Sequence, residues 1–168
     1  MTDATAPSAT RLEHFHVTFF AIVMGLSGLT LALHAAEAAY GLSSLASDIA
    51  YFGTIAVFAI IAMFYAAKAM RHGGAVRADW NHPVKLAFFP AISISLLLLA
   101  TASVNRSGVL ADGLWLAGAA LQAVLTLAVV SGWIGTRAFL HGQLSPAWFI
   151  PAVGNVIVPI AGSHLGYA

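Results

Sequence analysis

Two of the seven histidines stand where they could bind a cofactor. His34 and His164 each lie near the end of a long apolar run, and an imidazole nitrogen is a good ligand for haem iron or a metal ion. The chain has no cysteine, which excludes disulfides, thiolate metal sites and thiol nucleophiles. One histidine pair keeps a haem-binding electron carrier open as an alternative. Because haem proteins built from helices usually need such pairs on facing helices, we expect no cofactor and no metal site.

The sequence contains none of the common catalytic motifs. There is no phosphate-cradling glycine loop, no Gly-x-Ser-x-Gly elbow and no His-Glu-x-x-His pattern. The acids Glu37, Asp48 and Asp112 fall at the ends of apolar runs, so no buried nucleophile and base can be paired. An enzyme is not predicted. A pathway without buried charge would select anions by size and by the weak positive potential of oriented dipoles.

Two prolines lie inside apolar runs, where they break the helical hydrogen-bond pattern. Pro90 and Pro159 each remove one bond to the residue four positions earlier, which predicts free carbonyls at Leu86 and Asn155. A free carbonyl at membrane depth must face protein or water. Together with Ser93, these groups predict a polar axis, and kinks satisfied by neighbouring helices are the structural alternative.

Small residues recur every three or four positions along the first apolar run. They fall on one face of a helix and are Thr18, Ala21, Gly25, Gly28, Ala32 and Ala35. This stripe predicts either the close approach of another helix or the wall of a wide lumen. In the fourth run, Gln122 and Thr126 lie one turn apart, and we expect them to bond to a neighbouring helix rather than to a solute.

Five apolar runs carry these residues, in a chain that is 60% hydrophobic and 8% charged. Each run is close to the roughly 20 residues with which a helix crosses a bilayer. The runs cover residues 17–37, 49–69, 84–104, 113–136 and 151–168. We predict an all-α integral membrane protein with a transmembrane domain over 14–168, preceded by a cytosolic arm over 1–13.

The distribution of basic residues predicts the topology. Only Arg106 lies on one side, whereas the other side carries Arg11, Lys68, Arg71, Arg77, Lys85 and Arg137. Loops rich in lysine and arginine stay in the cytoplasm. We therefore predict a protein of the cell membrane whose N-terminus lies on the cytoplasmic side and whose fifth span ends on the outer side. Topology accounts for the basic excess, and no nucleic-acid partner is expected.

The first, third and fifth runs resemble helices of the tellurite-resistance/dicarboxylate transporter family, which includes the slow-type anion channels of plants. The resemblance covers nearly the whole chain. It rests on a Phe-x-x-x-Met-Gly-x-x-Gly element, a His-Pro pair before the third run and a Pro-Ala-Trp-Phe-Ile-Pro segment followed by Val-Gly-Asn. Their residues are Phe20, Met24, Gly25, Gly28, His82, Pro83, 146–151 and 153–155.

This resemblance implies a ten-helix fold of five helical hairpins, a central anion pathway between kinked odd-numbered helices, and a homotrimer. Candidates for the pore lining or its kinks are then Gly25, Gly28, Pro90, Ser93, Asn155 and Pro159. The expected solutes are small anions of the dicarboxylate, tellurite, sulfite or halide type.

The chain has only half the length that such families usually have. It therefore reads as truncated, or as a half-length protein that builds its barrel from more than one copy. Three classes stay open: an anion channel or exporter, a haem-binding electron carrier at His34 and His164, and a non-conducting fragment or assembly partner.

Overall fold

The computed structural model describes residues 11–135 and 145–167, and in these ranges the chain is helical. Three 3₁₀ turns, Val17–Phe19, Lys85–Phe88 and Pro146–Phe149, precede α1, α4 and α6. The α-helices are α1 (Phe20–Tyr40), α2 (Leu45–Arg71), α3 (Gly73–Asn81), α4 (Pro90–Ser103), α5 (Gly108–Gly135) and α6 (Ile150–His164). The predicted all-α membrane fold is confirmed.

Five helical segments are long and apolar enough to cross a membrane. They are Val17–Tyr40, Leu45–Arg71, Lys85–Ser103, Gly108–Ile134 and Pro146–His164. The number agrees with the sequence prediction, but the second, fourth and fifth spans begin four or five residues before the apolar runs do. The second span begins with a turn that contains Ser47 and Asp48, and the fifth begins at Pro146, so hydropathy alone does not register these turns as helix. Arg137, used in the topology argument, lies outside the described residues.

The spans form hairpins. Residues 41–44 connect α1 to α2, and Gly41 ends α1 with a φ of 65°, a left-handed conformation that glycine adopts without strain. Residues 104–107 connect α4 to α5. Because successive spans cross in alternate directions, α1, α4 and α6 run the same way, with their N-termini at one face.

Helix α4 is the central helix. It packs against α1, α5 and α6, while α2 packs mainly on α1. Within the apolar 18-residue stretch of its span 72% of the residues are buried, against 17–22% in the corresponding stretches of the other four. Where α2 meets α1 and the start of α4, Tyr65 makes edge-to-face contacts with Phe20 and Phe89. The arrangement places α1 and α6 on two sides of α4, each with a long face that no described residue covers.

Candidate functional site

The small-residue stripe of α1 lies on an uncovered face. Gly25 and Gly28 are exposed, and a Cβ added at either position would meet no atom within 4 Å. The opposite face is buried against the hairpin partner, where Thr30 Oγ1 lies 3.3 Å from Thr54 Oγ1 of α2. No described helix makes the close approach that was one expectation for the stripe. This face of α1 is therefore available to line a lumen or to contact another part of an assembly.

Helix α6 presents a matching face. Asn155 and Pro159 are exposed, whereas Pro151 and Gly154 of the same helix are buried. Pro159 lies inside the helix, as predicted, and has no N–H to donate to the Asn155 carbonyl. The Asn155 side chain instead donates through Nδ2 to the Pro151 carbonyl, at 3.3 Å. The uncovered face thus carries one amide side chain and one carbonyl without its helical donor.

Pro90 and Ser93 lie in a different environment, because both are buried in α4. The Ser93 hydroxyl donates to Gln122 Oε1 of α5 at 2.7 Å, and Gln122 Nε2 donates to the Pro151 carbonyl of α6 at 2.9 Å. Gln122 is fully buried and joins three helices. The expectation that it bonds between helices is confirmed, and Ser93 is one of its partners rather than a residue of an uncovered face.

The expected free carbonyl at Leu86 is not found. The chain enters the third span as a 3₁₀ turn, Lys85–Phe88, and α4 begins only at Pro90. In that turn the Phe89 N–H donates to the Leu86 carbonyl at 3.2 Å. A 3₁₀ bond joins residues three apart, so the proline does not leave this carbonyl without a donor. Pro90 therefore marks the change from 3₁₀ to α-helix within the span.

Charged side chains lie at the ends of the spans. At the face carrying the N-termini of α1, α4 and α6, the buried Lys68 ammonium lies 2.5 Å from Asp79 and 2.8 Å from the Phe15 carbonyl oxygen. Lys85 lies 2.7 Å from the same carboxylate. Burial by itself raises the pKa of Asp79, but the hydrogen bonds and charges of Lys68 and Lys85 hold that pKa below its ordinary value. This cluster ties the segment before α1 to α2 and α3.

A second charged cluster lies at the opposite face. Arg106 lies 2.8 Å from Asp48, donates to Ser47 Oγ at 2.9 Å, and stacks over the Tyr51 ring at 4.8 Å. The Ser47 N–H donates to Glu37 Oε1 at 2.9 Å. These contacts close the α1–α2 hairpin against the α4–α5 connection. Between the two clusters, the described spans carry no aspartate, glutamate, lysine or arginine.

The structure does not pair the two candidate haem histidines. His34 Nε2 lies 3.3 Å from Asn105 Nδ2, in the connection between α4 and α5. His164 is exposed at the end of α6, a helix with which α1 has no extensive contact. Within the described residues, no group of three metal-binding side chains is found.

The geometry suits an uncharged pathway that favours negative solutes. The partial positive charges of three parallel helix N-termini lie at one face, close to Lys68 and Lys85. Along the uncovered faces of α1 and α6, small side chains leave space, and no carboxylate in the middle of the described spans repels an anion.

Residues 14–167 match the voltage-dependent anion channel family, known by the abbreviation SLAC1. The chain belongs to this family. The membership confirms the resemblance seen in the first, third and fifth spans, and it makes the chain a multi-pass membrane protein of a channel and transporter family.

Three curated proteins illustrate the relationship. An uncharacterized transporter of Methanocaldococcus jannaschii is 28% identical over 166 residues, 97% of this chain and 48% of that protein. A second uncharacterized transporter from the same organism is 26% identical, with 90% and 45% covered. A tellurite resistance protein TehA homolog of Haemophilus influenzae is 27% identical, with 89% and 46% covered. The chain spans about half the length of these relatives.

Gly154 and Asp79 are the residues of this region that sequence reasoning missed. A Cβ at Gly154 would lie 2.2 Å from Gln122 Nε2, so only glycine leaves room for the amide. Its signal was present, because Gly154 belongs to the Val-Gly-Asn element used for the family resemblance. Asp79 gave no such signal. Its partners Lys68 and Lys85 were interpreted only as topology markers.

Proposed function

We propose that this chain supplies part of the wall of a transmembrane pathway for small anions. The observation that carries the proposal is the pair of uncovered faces on α1 and α6, which contain Gly25, Gly28, Asn155 and Pro159 and no charged residue. Anions would pass these faces in contact with small side chains, the Asn155 amide and water. The positive helix N-termini and the lysine cluster would favour negative solutes at one mouth.

Pro90 and Ser93 have supporting roles in this proposal. Pro90 sets where the third span changes from 3₁₀ to α-helix, and Ser93 fixes Gln122 between α4 and α6. They therefore position the wall without facing the uncovered side. The Asn155 carbonyl remains the one backbone acceptor that we assign to the pathway.

The protein would lie in the cell membrane, and its solute would be an anion of the oxyanion, dicarboxylate or halide class. A pathway with no fixed charge at its centre binds such ions loosely and separates them by size. Tellurite is a reasonable test solute because one relative carries tellurite resistance in its name. Several chains, by resemblance three protomers, would assemble the working protein.

A single copy of the described spans does not enclose a lumen. Helices α1, α4 and α6 form one side only, and the amide and carbonyl groups of α6 would meet lipid in an isolated monomer. Unsatisfied polar groups in hydrocarbon carry a penalty of several kcal/mol each. We therefore propose that conduction requires further copies or further chain to complete the wall.

Chloride flux into liposomes, followed with an encapsulated fluorescent indicator, tests this function. The purified chain is separated by size before reconstitution, and we expect flux from an assembled fraction and none from the monomer. In the conducting form, Gly28→Leu should reduce flux about tenfold for each 1.4 kcal/mol that the new side chain adds to the barrier.

Gly53→Leu is the matched control. Gly53 is an exposed helical glycine of α2, and a Cβ there also meets no atom within 4 Å, but it lies on a helix that we place outside the pathway. Its flux should remain that of the unmodified chain. Equal losses at Gly28 and Gly53, or a conducting monomer, would refute the proposed pathway.

A further inference from the structure

A second surface of the molecule combines an apolar groove with two arginines at its mouth. The groove is formed by the segment before α1 and one face of α2, and its volume is about 540 Å³. Its lining residues are Arg11, Leu12, Phe15, Met63, Phe64, Ala67 and Arg71. It lies on the outer side of α2 and is separate from the uncovered faces of α1 and α6.

The apolar part of the groove follows α2 into the membrane. Met63, Ala67 and Arg71 are spaced four residues apart and therefore line one face of the helix. At about 1.5 Å per residue, Met63 lies about 12 Å deeper than Arg71. Met63 and Phe64 are 61% and 43% exposed although they lie well inside a membrane span. An acyl chain is the apolar ligand that the surroundings offer at this depth.

The wall opposite α2 is held in place. The Phe15 carbonyl accepts a hydrogen bond from the buried Lys68 ammonium, and the Phe15 ring lies 5.7 Å from the Phe64 ring, centroid to centroid. Because Lys68 is itself bonded to Asp79, the segment before α1 is fixed to α2 and α3. The groove is therefore formed by the fold and does not depend on a ligand.

The charge at the mouth is positive and unpaired within the described structure. Arg11 and Arg71 are both exposed, and neither takes part in any of the three ion pairs found among the described residues. Arg71 ends the second span, which places its guanidinium at the level of the lipid headgroups. Two guanidinium groups above an apolar groove match the phosphate and the acyl chain of one lipid molecule.

We infer that this groove binds an anionic glycerophospholipid from the leaflet that meets the N-terminal face of α1. Arg11 and Arg71 would bind the headgroup phosphate, and one acyl chain would lie along Phe15, Phe64 and Ala67. The lipid would hold the segment before α1 against α2 and so support the Lys68–Asp79 cluster from outside. This inference does not depend on which solute the protein transports.

Native mass spectrometry of the full chain tests the inference, with the chain in micelles containing equal amounts of dioleoyl phosphatidylglycerol and dioleoyl phosphatidylcholine. We expect adducts of the anionic lipid to dominate. Each arginine contributes about fivefold to that preference, so Arg11→Gln combined with Arg71→Gln should reduce it about 25-fold. Ala67→Trp fills the groove and should reduce adducts of both lipids.

Arg77→Gln is the matched control, because Arg77 is an exposed arginine of α3 at the same face and does not line the groove. It should retain the preference. An equal reduction in Arg77→Gln would show diffuse attraction and overturn the site. No preference for the anionic lipid, or a groove occupied by a second copy of the chain in cross-linking, would also overturn it. The arginine variants alter exposed side chains, so their result stands even if Ala67→Trp does not fold.

Discussion

Replacing Gly154 with alanine is expected to disrupt the junction of α4, α5 and α6. The new Cβ would lie 2.2 Å from Nε2 and 2.4 Å from Oε1 of Gln122. Gln122 is fully buried, accepts from Ser93 at 2.7 Å and donates to the Pro151 carbonyl at 2.9 Å. The amide can move away from the methyl group only by breaking these bonds, because it has no solvent to turn towards.

The size of the effect follows from these contacts. Inserting a methyl group into a packed interior costs about 1–3 kcal/mol, and hydrogen bonds between membrane helices contribute about 0.6 kcal/mol each. With two bonds of Gln122 at risk, we expect Gly154→Ala to reduce the free energy of unfolding by about 2–4 kcal/mol. In a chain that already carries Gln122→Ala, adding Gly154→Ala should cost much less, because the steric clash and the lost hydrogen bonds both involve the Gln122 side chain.

The measurement is unfolding of the purified chain by sodium dodecyl sulfate in mixed micelles, followed by circular dichroism. Gly53→Ala is the control, since its Cβ meets no atom within 4 Å and alanine favours helix over glycine. It should leave stability equal or slightly higher. If Gly154→Ala is as stable as Gly53→Ala, or if its effect adds fully to that of Gln122→Ala, the assigned junction is wrong.

Three further predictions concern the charged cluster, the topology and the fifth span. Asp79→Asn leaves the buried Lys68 without its counter-charge and should reduce the free energy of unfolding by about 3–5 kcal/mol. Because the pKa of Asp79 is lowered in the folded state, its stabilisation is complete above the unfolded pKa of about 3.9 and is lost as pH falls below it, so the two proteins should converge in stability in acid. Reporter fusions at Gly74 and after Ala168 should give cytosolic and external signals, and the reverse at either position would contradict the topology. Pro159→Ala restores a helical hydrogen bond and should alter anion flux without loss of assembly; unchanged flux would make the kink purely structural.

The sequence predicted the membrane fold because long apolar runs between polar segments leave few alternatives. The five spans and the interhelical bonding of Gln122 followed from this composition. The exact starts of the spans did not follow, since the first turn of α2 holds the polar residues Ser47 and Asp48. These residues are helical because Arg106 and Glu37 satisfy them, and hydropathy does not contain that information.

The candidate site was predictable in kind and only partly in detail. Periodicity alone placed Gly25 and Gly28 on one face of α1, but it could not say whether a helix covers that face. A proline in an apolar run predicts a lost hydrogen bond, and this holds at Pro159 within α6. At Pro90 a preceding 3₁₀ turn changes the pairing, which depends on the local backbone. Contacts between distant residues, such as Lys68 with Asp79, carry no periodic signal.

Cysteine labelling tests most directly whether the uncovered faces of α1 and α6 line an aqueous pathway. The chain has no native cysteine, so each introduced thiol is unique. Gly28→Cys and Asn155→Cys are compared with Phe52→Cys and Leu127→Cys, whose native side chains are 66% and 69% exposed on α2 and α5. A charged, membrane-impermeant thiosulfonate reacts with the thiolate, which forms in water and not in hydrocarbon. In assembled protein in liposomes, we predict labelling of the cysteines at positions 28 and 155 and no labelling of those at positions 52 and 127. Equal labelling of all four positions, or labelling of the α2 and α5 positions alone, would contradict the pathway.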